Sequence, residues 1–428
     1  MLSPTFVIDI TTPQTSFEQQ SILDYLSGEQ YKYHNYTEIT DILERLNATY
    51  PVIMDVFPIG RSWQDRAIFC AKLTNENISE SKPKILFVGY HHARERISAE
   101  LPLHFVVYAA ENYGIIETVT RMLDQTEIYV IVALNVDGFN IVDANEWQRK
   151  NARPVDEDYD GLFDEDPPND EDGDGFIEDL VELNGSDPFF IQWEGQDEDS
   201  DNLLNEDWVG GVDLNRNYGY QWNAVVDSGS RDPNAEDYRG SAPFSEPETQ
   251  ALRDFVLQHT FEYAVSFHSG IELILYPWGF TSEPPADVGK FVQVSEELST
   301  LVNCSYNQSG ASYTLSGSWG DWMFGHKNTL AFTCEVYGNL DSWQYEPTAV
   351  QNISWEKGVF QYFNPEPQEI EQTIQRWMPI FFYIADKATG EGSHSPIDLS
   401  GLIWIILIVA AVIISAVAAL VRRKREEL

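Results

Sequence analysis

The stretch Lys84-Ile-Leu-Phe-Val-Gly-Tyr-His-His-Ala-Arg-Glu95 runs from a nearly continuous apolar segment straight into imidazole and carboxylate side chains. An apolar run without polar alternation is expected of a strand covered on both faces, as inside a largely parallel sheet. Residues 127–134, 261–267 and 330–336 repeat the pattern. Apolar residues at helical spacing predict helices over 37–50, 99–113, 246–259 and 369–385, the last kinked by Pro379. Strands and helices in alternation predict an α/β fold, a mixed central β-sheet flanked by helices.

The chemistry sits where the first run ends. His92 and Glu95 are three residues apart, so one turn of chain can aim both at a single ion. His91 has no carboxylate at that offset. A third ligand must come from elsewhere, and His268 ends the 261–267 run at the mouth of a sheet, where α/β ligand sites gather. His104 falls in an apolar helical pattern and is expected to be packed, whereas His34, His259, His326 and His394 lack a strand end and are expected at the surface. Two histidines and one glutamate with an open fourth position describe a catalytic zinc site; a structural one would be closed and rich in cysteine.

With these residues in place, the chain resembles the zinc metallocarboxypeptidases of the carboxypeptidase A type. His92-Ala-Arg-Glu95 resembles the first zinc motif of that family, Ser266-Phe-His268-Ser269 resembles the second, and Tyr276-Pro-Trp-Gly279 follows at the family's interval. The similarity covers residues 33–385, interrupted by an acidic segment. It implies that Glu335, in Phe332-Thr-Cys-Glu335, is the general base, taking a proton from zinc-activated water and passing it to the leaving amine. Arg149, one residue further from Trp147 than is usual, matches the arginine that steadies the tetrahedral oxyanion. Asn215 and Arg216 match the pair that clamps the substrate's terminal carboxylate, a task suited to the bidentate guanidinium fork. Tyr313, eight residues before Asp321-Trp322, matches a mobile tyrosine that closes over the bound residue, and Arg94 a further substrate-binding arginine. Arg96 departs from the family's usual tryptophan, and Gly320 and Gly279 put no charge at the pocket, which favours neutral, apolar or aromatic C-terminal side chains.

The 428 residues carry 69 Asp+Glu against 26 Lys+Arg, a net charge of −43, yet 43% are hydrophobic and 13% aromatic. That apolar content excludes wholesale disorder, and the charge argues against nucleic-acid binding, which needs a basic face. Residues 155–210 hold 22 of the acids and no Lys or Arg, leaving −21 for the other 372 residues. Within that segment Asp156, Asp158 and Asp160 alternate before Gly161, and Asp170, Asp172 and Asp174 before Gly175; Asp197, Asp199 and Asp201 form a weaker third copy. Alternate carboxylates followed by a glycine turn predict irregular Ca²⁺ loops, without the glutamate that closes an EF-hand. Cys70, Cys304 and Cys334 allow at most one disulfide, and the pairing of Cys304 with Cys334 stays open.

Residues 401–421 carry no charge and are followed by Arg422, Arg423, Lys424 and Arg425. This predicts a single transmembrane helix with a basic cytoplasmic tail at 422–428 and the rest of the chain outside. Seven Asn-x-Ser/Thr triplets, beginning at Asn35, Asn47, Asn77, Asn184, Asn303, Asn307 and Asn352, agree with that placement. The domain plan is then an N-terminal segment over 1–32, a catalytic domain over 33–386 with the acidic insertion, and a stalk over 387–400. The resulting expectation is a membrane-anchored zinc carboxypeptidase acting on the C-termini of external peptides and proteins. Two alternatives are a zinc amidohydrolase for cell-wall or other non-standard peptides, and a catalytically silent, calcium-stabilised surface binding protein. The silent protein should lack the base or a ligand, yet Glu335 and all three ligands are present.

Overall fold

A computed structural model of the protein describes residues 32–142, 148–154, 163, 179–184, 187–193, 210–233, 235–339, 344–347, 353–357 and 359–390. The four apolar runs form neighbouring parallel strands: β3 (Lys84–Val88), β4 (Glu127–Ile131), β7 (Tyr263–His268) and β10 (Leu330–Tyr337). Outside them lie the hairpin of β1 (Met54–Arg61) and β2 (Ala67–Leu73), and on the other side β8 (Ile271–Tyr276) and β9 (Ser305–Gln308). The sheet order is β1-β2-β4-β3-β7-β10-β8-β9, with β2 antiparallel to β4 and β8 antiparallel to β10. The mixed sheet flanked by helices is therefore as the sequence predicts. After β3 the chain adds β4 on one side and later returns on the other with β7. The order thus reverses between β3 and β7, which opens a crevice at their carboxyl ends.

The predicted elements are present with shifted ends. Helices occupy Tyr36–Thr49, Ile97–Asn112, Pro247–Leu257, Ile370–Trp377 and Pro379–Thr389. The last two replace the single kinked helix predicted over 369–385: Pro379 brings no N–H and starts a new helix, so the chain breaks at Met378. Strand β3 stops at Val88, and the chain leaves the extended conformation over Gly89 and Tyr90. A Cβ on Gly89 would strike the carbonyl oxygens of Ser98 and Val132, so glycine alone permits the helix Ile97–Asn112 to approach this closely. Tyr90 holds a left-handed φ of 56°, a conformation costing about 1–2 kcal/mol in an L-residue. It is secured by its hydroxyl on the Ala93 carbonyl at 2.5 Å and by stacking on Phe139 at 4.3 Å. Beneath the crevice, Phe87, Phe105, Phe267 and Phe381 form an aromatic core, with the Phe105 and Phe381 rings stacked at 4.0 Å.

A second sheet was not predicted. Strands β5 (Asp179–Asn184) and β6 (Asp187–Trp193) pair with each other, and β5 pairs with β12 (Ile353–Lys357), which pairs with β11 (Gln344–Pro347); every pairing is antiparallel. Part of the acidic insertion is thus a hairpin. The proposed calcium ligands Asp156, Asp158, Asp160, Asp170, Asp172 and Asp174 lie outside the described residues.

The membrane expectations need correction. Among the described residues no helix is long and apolar enough to cross a membrane, and residues 401–421, on which the expectation rested, lie outside them. Among the described residues the fold therefore shows no transmembrane helix, and the membrane contact, the extracytoplasmic catalytic domain and the cytoplasmic tail inferred from one are withdrawn. Linear hydropathy tells the composition of a segment and not its place in a fold.

Cys70, Cys304 and Cys334 are free thiols. Cys334 pairs across to Ile274, which pairs on to Tyr306, so two strand spacings of about 4.8 Å each separate β10 from β9. Cys304 and Cys334 are then too far apart for a disulfide, whose Cα atoms approach within about 7 Å.

Candidate metal and active site

The crevice brings the three predicted ligands together. His92 follows β3, Glu95 precedes the helix Ile97–Asn112, and His268 ends β7; all three are buried. His92 Nδ1 lies 2.7 Å from Glu95 Oε1, His268 Nδ1 lies 3.0 Å from Glu95 Oε2, and the two Nδ1 atoms are 3.1 Å apart. Burial opposes ionisation of Glu95, but His92 and His268 overcome it and hold the carboxyl well below the usual range. Burial pushes the His268 imidazole down, keeping it a neutral donor. Two imidazole nitrogens and a carboxylate oxygen aimed at one point, at these separations, suit a zinc ion with donors about 2.0–2.2 Å away. The site fits the ion.

A second layer of contacts fixes these donors. His92 Nε2 is 3.1 Å from Asp213 Oδ1, which also accepts from the Asn215 N–H at 2.8 Å, while Asp213 Oδ2 accepts from Arg149 Nε at 2.9 Å. Burial alone would raise the Asp213 carboxyl, but Arg149, Arg216 and His92 hold it well below the ordinary range. A carboxylate on the far nitrogen of a ligating histidine sets its tautomer and ring orientation. Asp213 had no role in the sequence reading, although it lies two residues before Asn215. The Ser269 N–H donates to Glu95 Oε2 at 3.1 Å, fixing the other carboxylate oxygen.

Glu335 stands opposite His268 in the parallel register of β10 and β7, one strand spacing from a ligand. Burial, then the Glu95 charge, raise its carboxyl well above the ordinary range, against the pull of Arg149 and Arg216. Arg149 reaches within 3.8 Å of Glu95 Oε1 and is thereby beside the ligand cluster. Asn215 Nδ2 comes to 3.5 Å from His268 Nε2, and its Oδ1 accepts from the Trp319 N–H. Arg216 donates from Nε to Ser228 Oγ at 3.1 Å and from Nη1 to the Asn215 carbonyl at 3.0 Å.

The remaining predicted residues divide. Tyr313 is exposed, at 52% of its surface, on a loop that Asp227 fastens by accepting from both the N–H and the hydroxyl of Thr314. Arg94 faces Glu236 in a bidentate pair. Gly320 borders open space, with Pro277 the nearest group at 3.8 Å from a built Cβ. Asp321 accepts from the N–H groups of Gly279 and Phe280, and burial raises its carboxyl to about 6.

Two histidine expectations are corrected. His34 is buried, not at the surface, with Nδ1 2.9 Å from Glu100 and its N–H donating to the same carboxylate. His259 is half-buried among the rings of Tyr129, Phe255 and Phe261. His104 is packed as predicted and His326 is exposed; His394 lies outside the described residues. His91 is no ligand: it is buried between Ser266 and Tyr218 and stacks on His268 at 5.1 Å.

Known proteins agree with this geometry. The profile described as zinc carboxypeptidase matches residues 39–379. The chain is 27% identical to mast cell carboxypeptidase A of Homo sapiens over 348 residues, covering 77% of this chain and 70% of that protein. It is 25% identical to carboxypeptidase A1 of Sus scrofa over 314 residues, 71% of this chain and 62% of that one. Among solved structures, thrombin activatable fibrinolysis inhibitor superposes with a TM-score of 0.63 at 20% identity, covering 88% of this chain and 80% of the other. Carboxypeptidase A from Helicoverpa armigera gives 0.61 at 17% identity, with 88% and 81% covered; at such identities these two show the fold. The matched profile spans the crevice and every residue of the ligand cluster, and the chain belongs to the zinc carboxypeptidase family as a zinc metallocarboxypeptidase.

Proposed function

We propose that this chain removes C-terminal residues from peptides and proteins with the roles assigned as follows. His92, Glu95 and His268 hold the zinc ion, which when bound supplies Lewis-acid polarisation of the scissile carbonyl. Glu335 accepts the proton of the attacking water and delivers it to the leaving amine. Arg149, fixed by Asp213, presents a cation to the developing oxyanion. Asn215 and Arg216 receive the free terminal carboxylate, and Tyr313 closes over the bound residue. The observation that carries this reading is the register of Glu335 with His268, which puts a half-buried glutamate one strand from the three-ligand cluster.

The carboxylate clamp is tested with paired substrates. Blocked dipeptides with a free C-terminus should be cleaved, and their C-terminal amides should not. Arg216→Gln should raise KM for the free acid by about 10- to 100-fold, the worth of a charge-assisted hydrogen bond to an ion. Equal rates on acid and amide would overturn the exopeptidase assignment. The same panel reads side-chain preference. Gly320 and Gly279 bring no charge, and both Asp321 oxygens accept from backbone N–H groups. Neutral apolar or aromatic C-terminal residues should therefore outcompete Lys and Arg.

We also propose a catalytic unit over 33–386 in which the 155–210 insertion binds Ca²⁺ through Asp156, Asp158, Asp160, Asp170, Asp172 and Asp174. The support is the alternation of carboxylates before glycine, the oxygen-rich arrangement that Ca²⁺ requires. Adding Ca²⁺ to zinc-loaded protein should raise Tm; a Tm indifferent to Ca²⁺ would count against these loops.

A further inference from the structure

Arg94 stands between two ligands in the chain, and its side chain is only 8% exposed. Its Nη1 and Nη2 meet the two carboxylate oxygens of Glu236 at 2.7 and 3.1 Å, fork to fork, while the guanidinium carbon lies 4.3 Å over the Phe363 ring. An arginine engaged in this way already holds a carboxylate in the geometry it would offer a substrate. Glu236 differs from its partner in being half exposed, at 50% of its side chain. Its neighbour in the chain is tied down: Asp237 accepts from Ser228 Oγ at 2.8 Å and from the Gly229 N–H at 2.7 Å, and Ser228 Oγ accepts from Arg216. One residue further on, the Tyr238 carbonyl accepts from the Asp213 N–H. Arg149 and Glu236 also feel each other's charge, so this carboxylate belongs to the field of the site.

The following rests on the exopeptidase assignment, with the terminal carboxylate at Asn215 and Arg216. On that assignment we take the residues upstream of the scissile bond to run on the Arg94 side of the ligand cluster, where Tyr362 feels the charges of both Arg94 and Glu335. We propose that Glu236 is a specificity-determining residue. By filling the Arg94 fork, it withdraws that cation from substrate carboxylates and sets a negative charge against acidic side chains just upstream of the cleaved bond. The residue resemblance that assigns Arg94 to substrate binding is thereby modified: in this chain Arg94 acts through its own internal carboxylate.

The test uses the full zinc-loaded chain and two peptides with the same C-terminal residue, one bearing Glu and one Gln immediately upstream of the scissile bond. Their Kd ratio is measured on a Glu335→Gln background, where turnover does not intervene, and their kcat/KM ratio with Glu335 intact. Glu236→Gln should shift both ratios toward the acidic peptide by about ten-fold, the scale of one unit charge removed at the edge of a partly desolvated site. Adding Arg94→Gln should cancel the shift, because the released cation is then gone. Glu236→Asp keeps the charge and should stay near the starting ratio. A proportional change for both peptides, or ratios unmoved by Glu236→Gln, would overturn the proposal and leave the pair a structural tie. Failure of the exopeptidase assignment would appear separately, as indifference to C-terminal amidation, because both peptides here share one free C-terminus.

Discussion

Glu335→Gln is expected to lower kcat/KM by about 10²- to 10⁴-fold, the usual contribution of a positioned general base. The substitution keeps the volume and planarity of the side chain while removing its capacity to take a proton. The residue lies one strand from His268 and is not in the three-donor cluster, so zinc content should stay at the wild-type level. Metal analysis alongside steady-state kinetics on a blocked dipeptide separates the two effects. Full turnover by the zinc-loaded variant would sink the assignment of Glu335 as base. Loss of activity together with zinc would show instead that the side chain supports the ligand cluster. The same measurement decides against the silent binding protein: that alternative predicts no hydrolysis even by the wild-type chain.

Removal of zinc should have the second large effect, abolishing hydrolysis and lowering Tm. The buried cluster sets two imidazoles and one ionised carboxylate within 2.7–3.1 Å of one another at the carboxyl end of the sheet. Without an ion, such a cluster must share protons among groups whose burial opposes charge. An ion that binds the folded chain alone adds about 4 kcal/mol at a thousand-fold excess over Kd, which corresponds to several degrees in Tm for a domain of this size. A chelator selective for zinc, followed by re-addition of the ion, should erase and restore both readouts. A Tm unmoved by chelation, with metal loss verified, would contradict the binding of zinc by these residues.

Much of the site was legible because its signals are local. His92 and Glu95 are joined by one turn of chain, and an i, i+3 spacing converges wherever the segment lies. The strands were legible because burial on both faces removes polar alternation, a property of each run by itself. A hairpin signal stands in the sequence as well: Asn184-Gly185 lies between two apolar stretches, the usual mark of a tight turn between strands. The carboxylates of the surrounding segment mask it, because they interrupt the apolar alternation that marks a strand.

What stayed hidden depends on distance through space. Nothing in the spacing of Asp213 marks it as the partner of His92, 121 positions away in the chain. His34 has no strand-end context, yet it is buried against Glu100 on the helix Ile97–Asn112. Arg94 carries a family-like motif, and only the fold brings Glu236 onto its fork, 142 positions downstream.

The sequence by itself determined the sheet class and pointed to a metal site, because unbroken apolar runs mark covered strands and the i, i+3 spacing of His92 and Glu95 is local, while His268 was suggested by its place at a strand end. Tertiary structure decided the register that sets Glu335 opposite His268, the carboxylate that orients His92, and the state of Arg94. Those depend on strand order and on side chains that meet only after folding, since hydrogen bonds and charges act over a few ångströms of space whatever the separation along the chain.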